Sequence, residues 1–333
     1  MDAATVEMLR STLTHVLSQD DGQPLSSRLD ALGWDDVLAD DAAGALQVLF
    51  ETRGVTLSGA DALGPVLARS LAGAVGDPNL AAAAVVLPSS LHPDRPSAVV
   101  DGGGSLVVDG FVLSAPAVGQ MLVVPVDGGE AGMRLAMARA GSELSTKAVA
   151  VDGTDISLDI QQVRCTVAAA DVTWVNGSTA AAAWTEAAAL ARWVLAAELV
   201  AIGRHVIAQA VEYTGQRQQY GKAIGTFQAL QHRLASAHVT VVGASHVVAE
   251  AADSGSPWAA LVAKALAGRG TEFACTQVQQ SYGAIGFTWE HGFHRYLRRV
   301  YVLDRLFGDW RTLERDIGSR LLATGTVPRL GTL

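Results

Sequence analysis

A chain of 333 residues can bury a large core in two or three lobes. Half of it is apolar and its formal net charge is -9, which argues against general nucleic-acid binding and against docking on anionic lipid. Cys165 and Cys275 lie far apart with no metal-ligand spacing and read as free thiols of a reducing compartment.

The first residues contain acids and no long apolar core, so no signal peptide is expected. No run reads as apolar and long enough to span a bilayer, so a cytoplasmic protein without membrane contact is expected. Up to about Leu87 the chain reads as helices broken by turns. Leu9, Leu13, Val16 and Leu17 keep helical spacing, and Leu29, Leu32 and Trp34 precede an acidic patch over 35–41. A second amphipathic stretch covers 45–52, Pro65 opens another helix, and Asp77-Pro78-Asn79 reads as a turn.

The texture changes near Pro88. Pro93, Pro96 and Gly102-Gly103-Gly104 oppose helix, and Asp109-Gly110, Asp127-Gly128 and Asp152-Gly153 read as hairpin turns between β-rich runs. Ile156-Ser-Leu158-Asp-Ile160 alternates as a half-buried strand should, and Val163, Cys165 and Val167 continue with that period.

From Thr179 onward helical periodicity returns. Trp184, Ala188, Ala191, Leu195, Leu199, Ile202 and Val206 form one apolar stripe, with Trp184 and Trp193 in the core. Phe227, Leu230, Leu234, Ala237, Val241, Ala244 and Val248 form another. Ser254-Gly255-Ser256-Pro257 breaks the pattern, with Ser256 as cap and Pro257 at the first helical position. The next helix runs to about Tyr282, 283–287 turns, and a last helix carries Arg295, Arg298 and Arg299. The expected fold is α+β, mostly α: a helical domain over 1–90, a small antiparallel β domain over 91–178, and a helical bundle over 179–333.

Two segments carry chemistry. Arg217-Gln-Gln-Tyr220-Gly221-Lys-Ala-Ile224-Gly-Thr-Phe227-Gln228 precedes one long helix, and Gln280-Ser-Tyr-Gly283-Ala284-Ile-Gly286-Phe287-Thr288 closes the next. An Arg, aromatic walls, side-chain amides and a permissive glycine at helix junctions suit a dinucleotide with a pyrophosphate and flat rings. The same residue types also decorate ordinary exposed faces. His291 and His294 are three apart and could share a helix face, but no third metal ligand is evident.

The two segments resemble the R-x-x-F/Y-G-x-x-I-x-x-F-Q and Q-x-x-G-G-x-G-F/Y-T motifs of the acyl-CoA dehydrogenases. Tyr220 stands for the commoner Phe and Ala284 for the second Gly. His294-Arg295-Tyr296-Leu297-Arg298-Arg299 resembles the family's R-Y-x-R-D segment, with Arg299 in place of the acid. The likeness is good over 180–308 and weaker upstream. It implies a family fold of helical domain, β domain and four-helix bundle. It also implies that Arg217, Tyr220, Ile224, Phe227, Gln228, Gln280, Gly283 and Ala284 hold the ADP half of a partner subunit's FAD.

The family's catalytic Glu is missing. Its usual position is Phe307, within Leu306-Phe307-Gly308-Asp309, and its alternative position is Ala191, before Arg192. Asp304, Asp309 and Glu198 are substitutes by residue type, each read foremost as a helix-surface or capping acid. The family's flavin-embracing β segments are also not found, their places being 89–96 and Phe111-Val-Leu-Ser114-Ala-Pro116. The resemblance therefore implies no catalytic residue and no metal here, but the incomplete subunit of an α2β2 acyl-CoA dehydrogenase. Such an enzyme acts on an acyl-CoA thioester, with a steroid side-chain CoA as the expected class. A homologous subunit would bring the Glu, and an electron-transfer flavoprotein would accept the electrons. A self-sufficient homo-oligomeric flavoenzyme with a relocated base and a non-enzymatic scaffold remain open.

Overall fold

A computed structural model describes residues 1–19, 22–129, 132–141, 149–150, 155–175 and 177–330. The chain divides into two compact units. One comprises Met1–Asp21, Asp30–Ser58 and Arg192–Leu333, and the other Gly22–Leu29 and Gly59–Ala191.

In the first unit, α1 (Ala3–Ser18) starts at Asp2, whose carboxylate accepts the Thr5 amide at 2.8 Å. It packs Leu13, Val16 and Leu17 toward α3 (Trp34–Thr56). The helix α3 kinks at Asp41, where φ is -151°, and the Asp41 carboxylate caps the Gly44 amide at 2.8 Å. That kink separates the acidic patch from the amphipathic stretch beginning at Ala45. In the second unit, α2 (Leu25–Asp30) contributes Leu25 and Leu29, and α4 (Leu63–Val75) packs on the sheet's first strand. Asp77 accepts the Asn79 amide where a short 3-10 turn, Pro78–Ala82, begins.

The sheet begins earlier than expected, at β1 (Ala84–Val85) and β2 (Leu87–Pro88), in residues assigned above to helix. It continues through β3 (Ala98–Val100), β4 (Leu106–Val112), β5 (Met121–Asp127), β6 (Met133–Arg139), β7 (Val149–Ala150), β8 (Gln161–Val167) and β9 (Thr173–Trp174). The order is β7-β8-β4-β3-β5-β6-β9, with β1 on β5 and β2 on β4, and most pairs are antiparallel. Val86, Leu106, Val108, Val124, Val126 and Val163 form its core.

One turn expectation and one strand expectation change. Asp109-Gly110 lies inside β4, because Gly110 passes so close to β2 that an added Cβ would sit 2.5 Å from the Leu87 carbonyl oxygen. The 155–160 stretch is a bend and not a strand. Asp155 captures the Ser157 amide at 3.1 Å and its hydroxyl at 2.6 Å, and Ile156 is 74% exposed. Asp127-Gly128 does begin the β5–β6 turn, with the Asp127 carboxylate accepting the Gly129 amide. Asp152-Gly153 lies outside the described residues.

The bundle comprises α5 (Gly177–Gln216), α6 (Gln228–Ser254), α7 (Pro257–Tyr282), α8 (Phe293–Arg305) and α9 (Trp310–Thr324). Ser256 caps α7 through the Ala259 amide, with Pro257 at its start, as the sequence implied. The Arg-bearing helix α8 is not the last, because Asp309 caps α9 after it. Contrary to expectation, α5 is apolar and long enough to cross a membrane, with a mean hydropathy of 1.5 over its most apolar window. That window is 72% buried within the protein, and Trp184 and Trp193 on α5 are core residues.

Glu198 on α5 joins three helices of the first unit. It is fully buried and accepts hydrogen bonds from Arg53 on α3 at 2.6 and 2.7 Å and from Arg299 on α8 at 3.4 Å. Arg299 also donates to the carbonyls of Ser58 and Leu57, at 3.0 and 3.2 Å, just beyond α3. A cation suits that helix C-terminus.

Glu198→Gln leaves two guanidinium groups without their counter-charge. Its unfolding midpoint in urea is expected to fall by the equivalent of about 3–5 kcal/mol. A loss under about 1 kcal/mol would show that the cluster does not organise these helices.

Candidate functional site

At the end of α5 the Arg217 amide bonds the Tyr213 carbonyl at 2.9 Å, and the Ile224 amide bonds the Arg217 carbonyl at 2.8 Å. Between them β10 (Gln218–Gln219) and β11 (Lys222–Ala223) form a two-residue hairpin. Its tip is Tyr220-Gly221, with φ of 53° and 77°, positive at both central residues as such a turn requires. Tyr220 is 91% exposed, which is unusual for an aromatic side chain held at positive φ. Its ring lies edge-on to Phe227 at 6.1 Å, and the Lys222 amine sits 4.4 Å over the Phe227 ring. Gln228 opens α6, and Phe227 before it supplies no side-chain cap. Arg217 and Gln228 are exposed, and Ile224 is half-buried.

The second segment lies at the end of α7. Gln280 and Ala284 are exposed, and Gly283 turns the chain at φ 64°, ψ -140°, a conformation essentially reserved for glycine. Ile285, Phe287 and Trp289 follow, 42%, 74% and 66% exposed. The two helix ends meet through aromatic rings. Tyr213 lies edge-on to Tyr282 at 5.1 Å, and His291 packs on Tyr282 at 4.1 Å. One region thus displays a guanidinium, two amides, aromatic walls and the amides of an uncapped helix start. Such a surface suits an acidic, ring-bearing ligand approached from outside.

Neither of the two positions at which the resemblance implies a base carries a carboxylate. Ala191 is fully buried. Phe307 is 3% exposed and left-handed at φ 60°, and its carbonyl accepts Arg192 Nε at 3.2 Å. Lys264 Nζ, fully buried, donates to the carbonyls of Asp304 at 2.8 Å and Gly308 at 3.3 Å. Two buried cations therefore hold the turn at Phe307.

The substitute acids have other work. Asp309 is a helix cap, accepting the amides of Arg311 at 3.1 Å and Thr312 at 3.2 Å. Burial acts to raise its pKa, but the Thr312 hydrogen bonds and the Arg305 charge outweigh that and hold it below the usual carboxylate range. Asp304 and Glu198 are not the surface or capping acids expected. Asp304 is 6% exposed, lies 3.8 Å from Lys264 Nζ and accepts the Trp310 amide, and burial pushes its pKa up. Glu198 is the shared acid of the Arg53–Arg299 cluster. Nor do the histidines share a helix face. His291 precedes α8 and packs on Tyr282, whereas His294 is on α8 and stacks on Trp289 at 4.3 Å.

Lys264 went unnoticed in the sequence. The available signal was its place as the one charge within Leu261-Val-Ala-Lys264-Ala-Leu-Ala, on a face that must be buried.

Residues 181–322 match the family described as acyl-CoA dehydrogenase, C-terminal domain. Among curated relatives, acyl-CoA dehydrogenase IpdE2 of Mycobacterium tuberculosis is 35% identical over 128 residues, 38% of this chain and 40% of that protein. The match therefore spans less than half of that relative's length. Two solved structures share the fold. The Tcur3481-Tcur3483 steroid ACAD G363A variant superposes with a TM-score of 0.72 at 21% identity, over 97% of this chain and 98% of that one. The ChsE4-ChsE5 complex from Mycobacterium tuberculosis gives 0.73 at 17% identity, over 99% of each chain.

Burial pushes the Lys264 amine down from 10.5 to about 8, against the attraction of Asp304 and with added repulsion from Arg192. Between those values the unfolded chain holds a proton that the folded chain has released, so this group makes stability rise with pH. Denaturation from about pH 7.5 upward is expected to show wild type gaining stability relative to Lys264→Met through this window. A constant difference between the two proteins would place the amine at its ordinary pKa.

Proposed function

With residues 181–322 matching an acyl-CoA dehydrogenase C-terminal domain, we propose that this chain is the catalytically incomplete subunit of a heteromeric, FAD-dependent acyl-CoA dehydrogenase. The carrying observation is a juxtaposition. The residues suited to a dinucleotide are displayed outward at one bundle end, while Phe307 is buried at the position of the family base.

The reaction removes a proton from the carbon α to a thioester as a hydride leaves the β carbon. An α C–H is a weak acid, so a positioned carboxylate is required. FAD, when bound, supplies the hydride acceptor. On this chain Arg217 would neutralise pyrophosphate charge, and Tyr220, Ile224 and Phe227 would wall the adenosine side. Gln228 and Gln280 would bond its polar edges, and Gly283 and Ala284 would let backbone come close. The fit rests on the open space around Gly283, where nothing lies within 4 Å of an added Cβ, and on the uncapped start of α6. It extends to the ADP half only, because the two positions at which the resemblance implies the base hold Phe307 and Ala191. A relocated base is not favoured, since Asp304 and Asp309 are committed to Lys264 and to helix capping.

In this reading a homologous subunit contributes the Glu and the flavin-ring pocket in an α2β2 assembly. The substrate is the CoA thioester of a steroid side chain, and an electron-transfer flavoprotein takes the electrons. The steroid description of one structural neighbour and the two-component description of the other support this choice. A cytoplasmic location and the division at 1–90, 91–178 and 179–333 belong to the same reading.

Flavin content and native mass, measured for this chain alone and co-expressed with a Glu-bearing relative, test the proposal. FAD is expected only in the mixed complex, at one per pair of unlike chains. Arg217→Ala is expected to weaken FAD retention about tenfold or more while the complex still assembles. FAD on the isolated chain at one per subunit would overturn the half-site assignment.

A further inference from the structure

The sheet unit holds a second concavity that the flavin reading does not use. It measures about 560 Å³ and is lined chiefly by Val99, Val100, Asp127, Arg134 and Trp174. Its origin lies in the strand pairing. β3 meets β5 at a single parallel position, Ala98 opposite Val126, and the ladder stops there. Val99 and Val100 beyond that point remain 55% and 42% exposed. β4 leads back from this end, so the opening lies at the opposite end of these strands from 89–96 and 111–116.

Arg134 sits opposite Val126 on β5, and Trp174 opposite Ala136 on β6, so both belong to the face carrying the sheet core. The Arg134 guanidinium carbon lies 3.8 Å from the centroid of the Trp174 ring. At that distance the indole face holds the guanidinium by cation–π attraction, which uses none of its N–H donors. Among the described residues Arg134 has no ion-pair partner, and the nearby Asp127 carboxylate is engaged by the Gly129 amide at 2.8 Å. A cation held against an indole therefore borders an apolar floor at the end of the sheet core, in a volume within the range of small-molecule sites.

We propose that this mouth binds a small organic anion: one acidic group held in the fork of Arg134, and a flat apolar body resting on Val100, which shares the face of Arg134, and on the half-buried Trp174. Charge complementarity selects the acid, since a planar guanidinium takes a carboxylate through two parallel hydrogen bonds. Val100 and the indole select the body. Asp127 at the rim limits the ligand to a single negative charge. The site is independent of the FAD assignment and stands or falls separately from it.

The test is calorimetric titration of the full chain with 1-naphthoate and with 1-naphthalenemethanol, its neutral counterpart of similar shape. Saturable binding of the acid at one per chain is expected, with the alcohol about tenfold weaker or more. Arg134→Gln should weaken naphthoate to a similar degree, Arg134→Lys should fall between, and Asp127→Asn should tighten it. Equal affinity for acid and alcohol, or no saturable heat from naphthoate, overturns the proposal on the unaltered protein even if a variant does not fold. Unchanged affinity in folded Arg134→Gln overturns it as well.

Discussion

A carboxylate with no access to water, shared by two arginines, is the constraint on which the helical unit turns. Glu198 has no stable alternative to the positions of Arg53 and Arg299, because an ionised acid stranded in a core is far more costly than a misplaced apolar side chain. The cluster carries one negative and two positive charges, so the carbonyls of Leu57 and Ser58 must take part of the Arg299 charge. α3, α5 and α8 are thereby registered against one another. α5 runs on to the Tyr213–Arg217 junction, and α8 leads into the turn at Phe307. The exposed motif segments and the turn at Phe307 are thus indexed to the same buried contact.

That turn is built with more electrostatic provision than a loop needs. Lys264 and Arg192 together hold the carbonyls of Asp304, Phe307 and Gly308. Phe307 is buried at positive φ, and the two cations bonded to the carbonyls of its turn hold it there. Phe307 is therefore a fixed wall rather than a loosely filled gap.

Local signals were legible wherever the controlling group was local. The break at 254–257 was readable because Ser256 and Pro257 act within one turn of themselves. The bundle stripes were readable because burial repeats with the helical period. Asp109-Gly110 misled because a glycine serves equally for a turn and for the close passage of a neighbouring strand, and only β2 distinguishes them. The alternation from Ile156 to Ile160 misled because one aspartate side chain outbid the ladder for backbone amides. Glu198 read as a surface acid because Arg53 lies 145 positions away in the chain. The two motif segments were visible as residue types. That Tyr213 and Tyr282 bring their helix ends together is a tertiary fact with no counterpart in spacing.

The exposed rings of Tyr220, Phe287 and Trp289 also bear on how the protein is handled in a cell. These rings stay wet in the isolated chain, and exposed apolar clusters promote self-association. If the proposed partner subunit covers them, copies synthesised in excess of it are the species most exposed to aggregation and to surveillance by chaperones and proteases. The steady-state amount of this polypeptide would then follow the supply of its covering surface rather than its own rate of translation.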